Sequence, residues 1–159
     1  MNAFVVAGAG FLLSVLWFDL MFDVQAARRG PGARGAETND AGELPEEVLA
    51  SIAAYYARVT TAARPMNRLV VTAMLATLAA IVVEIAKGTG GTWLGWVSLA
   101  LALAPILLAG GRTVPGAVRL GTRRDDLAAQ SALAKRTLGE HVFCFASIAC
   151  LIAVQLIAG

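Results

Sequence analysis

The sequence predicts an all-α fold, an integral membrane four-helix bundle in which helices two and four extend into the cytoplasm. Two observations lead to this prediction. Hydrophobic residues make up 58% of the 159-residue chain and charged residues only 15%, whereas soluble domains are usually about one-quarter charged. The apolar residues also fall into four runs. Each run is close in length to a helix that crosses a bilayer, which needs about 20 residues. We therefore expect a single membrane domain.

The four predicted spans cover residues 2–22, 66–86, 92–110 and 140–158. Only residues 87–91, "KGTGG", separate the second span from the third, and so short a turn makes them antiparallel neighbours. No basic residue precedes the first span, and its apolar stretch is long and contains Asp19. We therefore interpret it as a retained span and not as a cleaved signal peptide.

The distribution of positive charge predicts the orientation. Every lysine and arginine except Lys87 lies in residues 24–68 or 112–136. Positively charged residues accumulate on the cytoplasmic side of membrane proteins. The alanine- and arginine-rich composition is typical of bacterial membrane proteins. We thus expect a multi-pass protein of the bacterial inner membrane with both termini outside the cytoplasm.

Two amphipathic helices are predicted on the cytoplasmic side, at residues 45–63 and 125–138. In the first, Pro45 suits the first turn, and Glu46 and Glu47 suit its positive end. One of its faces is apolar and aromatic, with Val48, Ile52, Tyr55, Tyr56 and Val59. Asp125 and Asp126 open the second helix. Residues 30–43 have the glycine- and proline-containing composition of a loop.

Each predicted span carries polar residues near its cytoplasmic end. Asp19 lies about one helical turn deeper than Asp23, and a carboxylate inside a bilayer normally faces the bundle and has a partner. The candidate partners at this depth are Arg64, Asn67, Arg68, Arg112, Glu140 and His141. We weigh two interpretations: a ligand or catalytic site, and a structural clamp such as an Asp19–Arg68 pair. Asp23 is expected at the interface, near Arg28 and Arg29.

In the site interpretation, the polar residues divide into two roles. Asn67, Arg68, Arg112 and Arg64 would bind an anionic or carbonyl oxygen of a ligand. His141, Asp19 and Glu140 would be catalytic, with the histidine as a general base or proton relay. His141 is the only histidine, and Cys144 and Cys150 lie too far apart in sequence for a redox motif, so we predict no metal and no cofactor. The structural alternative for His141 is a bond to a neighbouring helix.

Short motifs at the heads of spans two and four resemble those of a known family. "PMNRLV" opens span two, "EHVFCFASIA" opens span four, and "TVPGAVRLG" follows span three. With four spans, the chain resembles the anthrone-oxygenase-like family of small four-helix membrane proteins. Glu140, Phe143 and Cys144 replace the asparagine, arginine and threonine of the family pattern, whereas His141 and Val142 match it. The resemblance implies a cofactor-independent oxygenation of polycyclic aromatic compounds.

The sequence supports two classes of function. The first is a pocket for an apolar molecule with a polar head group, such as a lipid, quinone or aromatic polyketide, with or without oxygenase-like catalysis. The second is a non-enzymatic subunit, assembly factor or homo-oligomeric scaffold, in which Tyr55 and Tyr56 would dock a membrane protein partner. A transporter is disfavoured because four helices are few for a pore. A net charge of +2 gives no support for nucleic acid binding.

Overall fold

Four long apolar helices form the body of the molecule in a computed structural model. It describes residues 2–27, 43–62, 64–88 and 91–158, except for the side chains of Asn2, Arg64, Thr92 and Ala158. Each of the four helices is long and apolar enough to cross a membrane. The candidate spans are Ala3–Ala27, Pro65–Lys87, Trp93–Thr122 and Leu127–Ile157. They contain α1 (Asn2–Asp23), α3 (Arg64–Lys87), α4 (Thr92–Leu108) and α6 (Leu127–Ala158), and the third span also includes the segment that follows α4. The predicted all-α four-helix membrane bundle is confirmed.

The four helices pack as a square. Helix α1 packs against α3 and α6, and α4 packs against the same two helices from the opposite corner. Glycines allow two of these approaches: a Cβ on Gly8 would collide with the hydroxyl of Thr77, and a Cβ on Gly95 would lie 2.5 Å from the Ile85 side chain. Helices α3 and α6 therefore occupy diagonal corners of the bundle.

Short helical segments surround one end of the square. A 3₁₀ turn at Val24–Ala27 follows α1, and α2 (Glu46–Ala57) runs into a π-helical turn at Arg58–Ala62. A second π-helical turn, Ala109–Thr113, joins α4 to α5 (Val114–Thr122). We call this the basic end, since most of the lysines and arginines lie here; the tight turn between α3 and α4 lies at the opposite end.

Two of the long helices continue past the length that a bilayer requires. Helix α6 has 32 residues, which corresponds to about 48 Å, compared with about 30 Å of hydrocarbon core. This confirms the predicted extension of the fourth helix, and Asp126 caps its start by accepting the N–H of Ala129 at 2.8 Å. Helix α4 also continues, through the π turn into α5. The π turn shifts the backbone hydrogen bonds just before Pro115, which has no N–H to donate.

The apolar residues form two separate cores. One lies among the spans and contains Val5, Ala9, Ile81, Ala102, Ile148 and Leu151. The other lies at the basic end, where α2 and α5 cover the first part of α6, and contains Ala26, Leu44, Leu49, Ile52, Tyr56, Ala117, Leu120, Leu133 and Ala134. The predicted apolar face of α2 is thus the face that packs on the bundle.

The approach of α2 to α5 leads to a testable prediction. A Cβ on Gly121 would lie 2.8 Å from the backbone nitrogen of Ala57, and backbone has little room to move. We expect Gly121→Ala to lower the free energy of unfolding by about 1–3 kcal/mol, as overpacking usually does. Thermal unfolding in detergent measures this. Gly139→Ala is the matched control, because a Cβ there meets no atom within 4 Å. Equal stability of the two variants would contradict the close packing of α2 on α5.

Candidate functional site: the polar level at the basic end

Polar side chains from all four long helices lie at one level of the bundle. Gly8 of α1 lies beside Thr77 of α3. The two helices run in opposite directions, so the basic end lies after Gly8 on α1 and before Thr77 on α3. Equal numbers of residues counted from this contact toward that end bring Asp19 to the level of the first turn of α3. The contact of Thr113 with Glu140 places the end of the third span at the same level as α6. The contact of His141 with Asp23 does the same for α6 and α1. At this level the side chains divide into two clusters and one groove.

The first group is a tyrosine–carboxylate cluster made of Asp19, Asp23, Tyr55, Tyr56 and His141. The Asp23 side chain is only 1% exposed. Its Oδ1 accepts a hydrogen bond from the Tyr56 hydroxyl at 2.7 Å, and its Oδ2 lies 2.5 Å from Nδ1 of His141. One carboxylate thus joins α1, α2 and α6, and because a carboxylate only accepts, Nδ1 of the histidine is the donor.

Aromatic packing holds the same cluster together. The Tyr55 hydroxyl donates to Oδ1 of Asp19 at 2.5 Å, and the Tyr55 ring stacks on Phe22 with centroids 4.0 Å apart. The Tyr56 ring lies nearly parallel to the His141 imidazole at 6.5 Å. Adjacent residues of a helix point about 100° apart. Tyr55 and Tyr56 are adjacent on α2, and each therefore reaches a different carboxylate, Asp19 and Asp23 respectively.

The environment of the two tyrosines keeps them protonated. Burial raises the pKa of both phenols, and the negative charges of Asp19 and Asp23 together with the hydrogen bonds to them raise it further. Both hydroxyls are therefore donors over the whole physiological range. The cluster depends on this, since a phenolate beside a carboxylate would have no proton to share.

The second group is a Glu140 cluster, which joins α4 to α6. Thr113, in the π turn after α4, donates to Oε2 of Glu140 at 2.9 Å. The Nε atoms of Arg136 and Arg112 lie 3.0 Å and 3.5 Å from Oε1 of the same carboxylate. Glu140 is buried, whereas the two guanidinium groups reach the surface. Two positive charges therefore share one negative charge.

The third feature is an open groove of about 460 Å³ on α3. Asn67 and Arg68 line its end near the start of the helix, and Val71 and Thr72 line it one turn further along. All four side chains are exposed. Within the part of the chain that the structure describes, Arg68 has no carboxylate partner. The groove thus combines an uncompensated cation with an apolar wall.

A further polar cluster lies near the opposite end of the spans. The Gln155 side-chain amide donates to Oε2 of Glu84 at 3.1 Å and to the Ser98 hydroxyl at 3.0 Å. All three side chains are buried. These contacts join α3, α4 and α6.

The structure separates the residues that the sequence places in one site. Asp19 and His141 lie in the tyrosine–carboxylate cluster, whereas Glu140 and Arg112 form a different cluster. Asn67 and Arg68 line the groove. The Arg64 side chain lies outside the described residues.

The structure bears on three features considered from the sequence: the Asp19–Arg68 clamp, the position of Asp23, and the docking face of Tyr55 and Tyr56. Among the described residues the Asp19–Arg68 clamp is not formed: Asp19 accepts a hydrogen bond from Tyr55, and the Arg68 side chain is exposed. Asp23 is the most deeply buried acid of the cluster. Arg28 and Arg29, near which it was expected, lie outside the described residues, so its place at the membrane interface stays a prediction. Tyr55 and Tyr56 do not present a docking surface, since both rings pack into the bundle.

The prediction from sequence does not include the roles of four residues in the clusters. These roles are Asp23 as a buried hydrogen-bond acceptor, Tyr55 and Tyr56 as donors, and Arg136 as an ion-pair partner of Glu140. A signal for Asp23 exists, because it is four residues from Asp19 and so lies on the same face of α1. The apolar face of α2 likewise contains both tyrosines. The i,i+4 spacing of Arg136 and Glu140 on α6 is a local signal for their ion pair, whereas the contact of Arg112 with the same carboxylate depends on the π turn.

Comparison with known proteins gives no relative: no protein-family model, no curated protein and no solved structure matches the chain. The resemblance to the anthrone-oxygenase-like family stays a prediction. Across residues 2–27, 43–62, 64–88 and 91–158, no three histidine, cysteine or acidic side chains are arranged to hold a metal ion.

Removing one hydroxyl tests the tyrosine–carboxylate cluster. We expect Tyr56→Phe to lower the free energy of unfolding by about 1.5–3 kcal/mol, because the lost bond is to a carboxylate that is 1% exposed. Tyr55→Phe serves as the comparison and should cost less, since the bond between Tyr55 and Asp19 is only partly buried. Thermal unfolding in detergent ranks the two variants. A Tyr56→Phe protein as stable as the unmodified chain would contradict the described geometry.

The raised pKa values of the tyrosines predict an alkaline titration. The chain has two tyrosines, both in the cluster. The ultraviolet absorbance of tyrosinate should stay absent near the ordinary pKa of about 10 while the protein is folded. Because the folded-state pKa lies above the unfolded value, the stabilisation is complete below about pH 10 and is lost as the pH rises beyond it. Tyrosinate formation near pH 10 without loss of helical circular dichroism would be the contrary result.

Proposed function

We propose that the chain binds an amphiphilic molecule, apolar with a polar head group, at the basic end of the bundle. The observation that carries this proposal is the groove on α3. Asn67 and Arg68 supply hydrogen-bond donors and a positive charge, and Val71 with Thr72 supplies an adjoining wall that is largely apolar. The groove has a volume of about 460 Å³ and is open along its length, so a ligand enters it from outside the bundle.

The charge at the groove favours a head group with an anionic or carbonyl oxygen. Arg68 has no carboxylate partner among the described residues, so its guanidinium donors are available to a ligand. The depth of the groove supports the same ligand class. The polar end of the groove lies at the level of Asp19, and its apolar end lies one helical turn deeper. An amphiphile in a leaflet has the same order, with its head group outside and its apolar part deeper. Lipids, quinones and aromatic polyketides have this shape.

The geometry favours binding over catalysis by His141. The imidazole is buried, its Nδ1 is held by Asp23, and α6 lies diagonally across the bundle from α3. A base that acts on a molecule in the groove needs to lie within hydrogen-bond reach of it. In this proposal Asp19, Asp23 and His141 hold the helices, and the oxygenase-like reaction implied by the family resemblance is not assigned to them.

The alternative of a scaffold or assembly factor has less support. Its main observation was the aromatic face of α2 as a docking surface, and that face packs on the chain's own core. A homo-oligomer remains compatible with ligand binding and is a separate question.

The proposed location is the inner membrane of a bacterium. With the positive charges of the basic end on the cytoplasmic side, the groove opens in the cytoplasmic leaflet and both termini lie outside. Four helices of sufficient length and apolarity support a multi-pass topology.

Native mass spectrometry of the protein released from lipid nanodiscs tests the binding proposal. We expect a bound molecule of discrete mass that Arg68→Ala reduces by about fivefold or more, as the loss of one charge-assisted contact of about 1 kcal/mol or more implies. Arg124→Ala is the matched control, because it removes the same charge from an exposed site outside the groove.

The outcome discriminates clearly between the alternatives. Loss of the bound mass in Arg68→Ala alone supports the groove. A bare protein mass from the unmodified chain, or equal adducts in both variants, would overturn the proposal. A reproducible mass of a second protein chain would direct attention to the scaffold alternative instead.

A further inference from the structure

We infer that Arg112 and Arg136 form a separate site for a phosphate group, held in place by the buried carboxylate of Glu140. This site lies on the π turn after α4 and on α6. The groove lies on α3, and the inference does not depend on the proposed function. Its ligand class is a phosphate monoester or diester anion, of which the head group of an anionic phospholipid is the source closest at hand.

Charge balance distinguishes these two arginines from their neighbours. Arg119 pairs with Asp125 at 2.8 Å, and Arg123 pairs with Glu46 at 2.6 Å, so each has its own carboxylate. Arg112 and Arg136 share Glu140. One positive charge is therefore left uncompensated in the Glu140 cluster, at the point where two guanidinium groups converge.

The contacts to Glu140 leave the binding edges of both guanidinium groups open. Each arginine faces Oε1 through its Nε atom. These contacts are ion pairs and not hydrogen bonds, because Oε1 of Glu140 has no hydrogen-bond partner among the described residues. Within the same residues, neither guanidinium makes a hydrogen bond or a further ion pair. The terminal N–H donors, which bind phosphate oxygens in a bidentate manner, remain available. The two side chains are 60% and 43% exposed, so a ligand reaches them from outside the bundle.

Glu140 is fixed more firmly than the arginines that it holds. Its side chain is 8% exposed, and Thr113 donates to its other oxygen at 2.9 Å. The donor comes from the π turn Ala109–Thr113, which also carries Arg112. The turn thus orients the carboxylate and one arginine together, which reduces the entropy lost on binding. Glu140 is a positioning residue in this site.

The position of the cluster suits a lipid phosphate. Polar residues of all four spans lie at this level, as expected where the hydrocarbon core ends, and phospholipid phosphates lie just beyond that boundary. Basic residues between membrane helices bind anionic head groups in this way. A free phosphate ester offers the same oxygens without the acyl chains, so the test must separate the two sources.

The experiment uses the full chain in nanodiscs of phosphatidylcholine with a minor fraction of phosphatidylglycerol, analysed by native mass spectrometry. We expect retained phosphatidylglycerol on the unmodified protein. Arg136→Gln should reduce it by about fivefold, and Arg112→Gln with Arg136→Gln by more than tenfold, at about 1 kcal/mol for each arginine near the surface. Arg119→Gln is the matched control, because that arginine is neutralised by Asp125.

Two further measurements keep the result unambiguous. Glu140→Gln with both arginines intact should also lower retention, because the arginines lose their orientation, while circular dichroism verifies that the helices persist. Displacement of phosphatidylglycerol by millimolar inorganic phosphate would assign the site to a free phosphate ester. Equal retention in Arg136→Gln and Arg119→Gln would overturn the inference, whether both variants keep the lipid or both lose it. Retention in Arg68→Ala tests the groove separately.

Discussion

The position of one carboxylate constrains the rest of the structure. Asp23 is almost completely buried at the end of a membrane helix, where an unpartnered charge would cost several kcal/mol. The bundle meets this requirement by bringing two donors to it, the imidazole of His141 and the hydroxyl of Tyr56. These donors belong to the fourth span and to the helix outside the spans, so satisfying Asp23 fixes α1, α2 and α6 relative to one another.

The polar level therefore divides by burial into parts with different roles. Asp23, Tyr56 and His141 point inward, and their contacts hold three helices together. Groups that point outward, Arg68 in the groove and the arginine pair on Glu140, are exposed and have guanidinium donors available to a ligand. Separation of this kind lets a ligand bind without breaking a contact on which the fold depends. It also explains why the lone histidine, at first sight the most reactive group, is assigned to the structure and not to the ligand.

Much of this arrangement follows from local features of the sequence. Hydropathy and helix length give the four spans, and counting residues along antiparallel helices places the polar groups at a common depth. Depth alone does not give rotation about the helix axis, and that rotation decides whether a side chain meets a partner or the lipid. Arg68 and His141 share a level, yet Arg68 points outward and His141 points into the bundle.

The pairing of Tyr55 with Asp19 depends on contacts between residues 36 positions apart, which no local pattern encodes. The continuation of α4 into α5 was likewise hidden, since Gly110, Gly111 and Pro115 normally indicate that a helix ends.

The direct test of the central claim is a double-mutant cycle between Asp23 and His141. The free energies of unfolding of Asp23→Ala, His141→Ala and the double variant would be measured against the unmodified protein in the same detergent. If the two side chains form the buried contact described here, each single change is strongly destabilising, and the double variant recovers about 1 kcal/mol or more relative to the sum of the two. Additive effects, with no coupling between the residues, would mean that Asp23 and His141 do not meet and that the division between inward structural groups and outward binding groups is wrong.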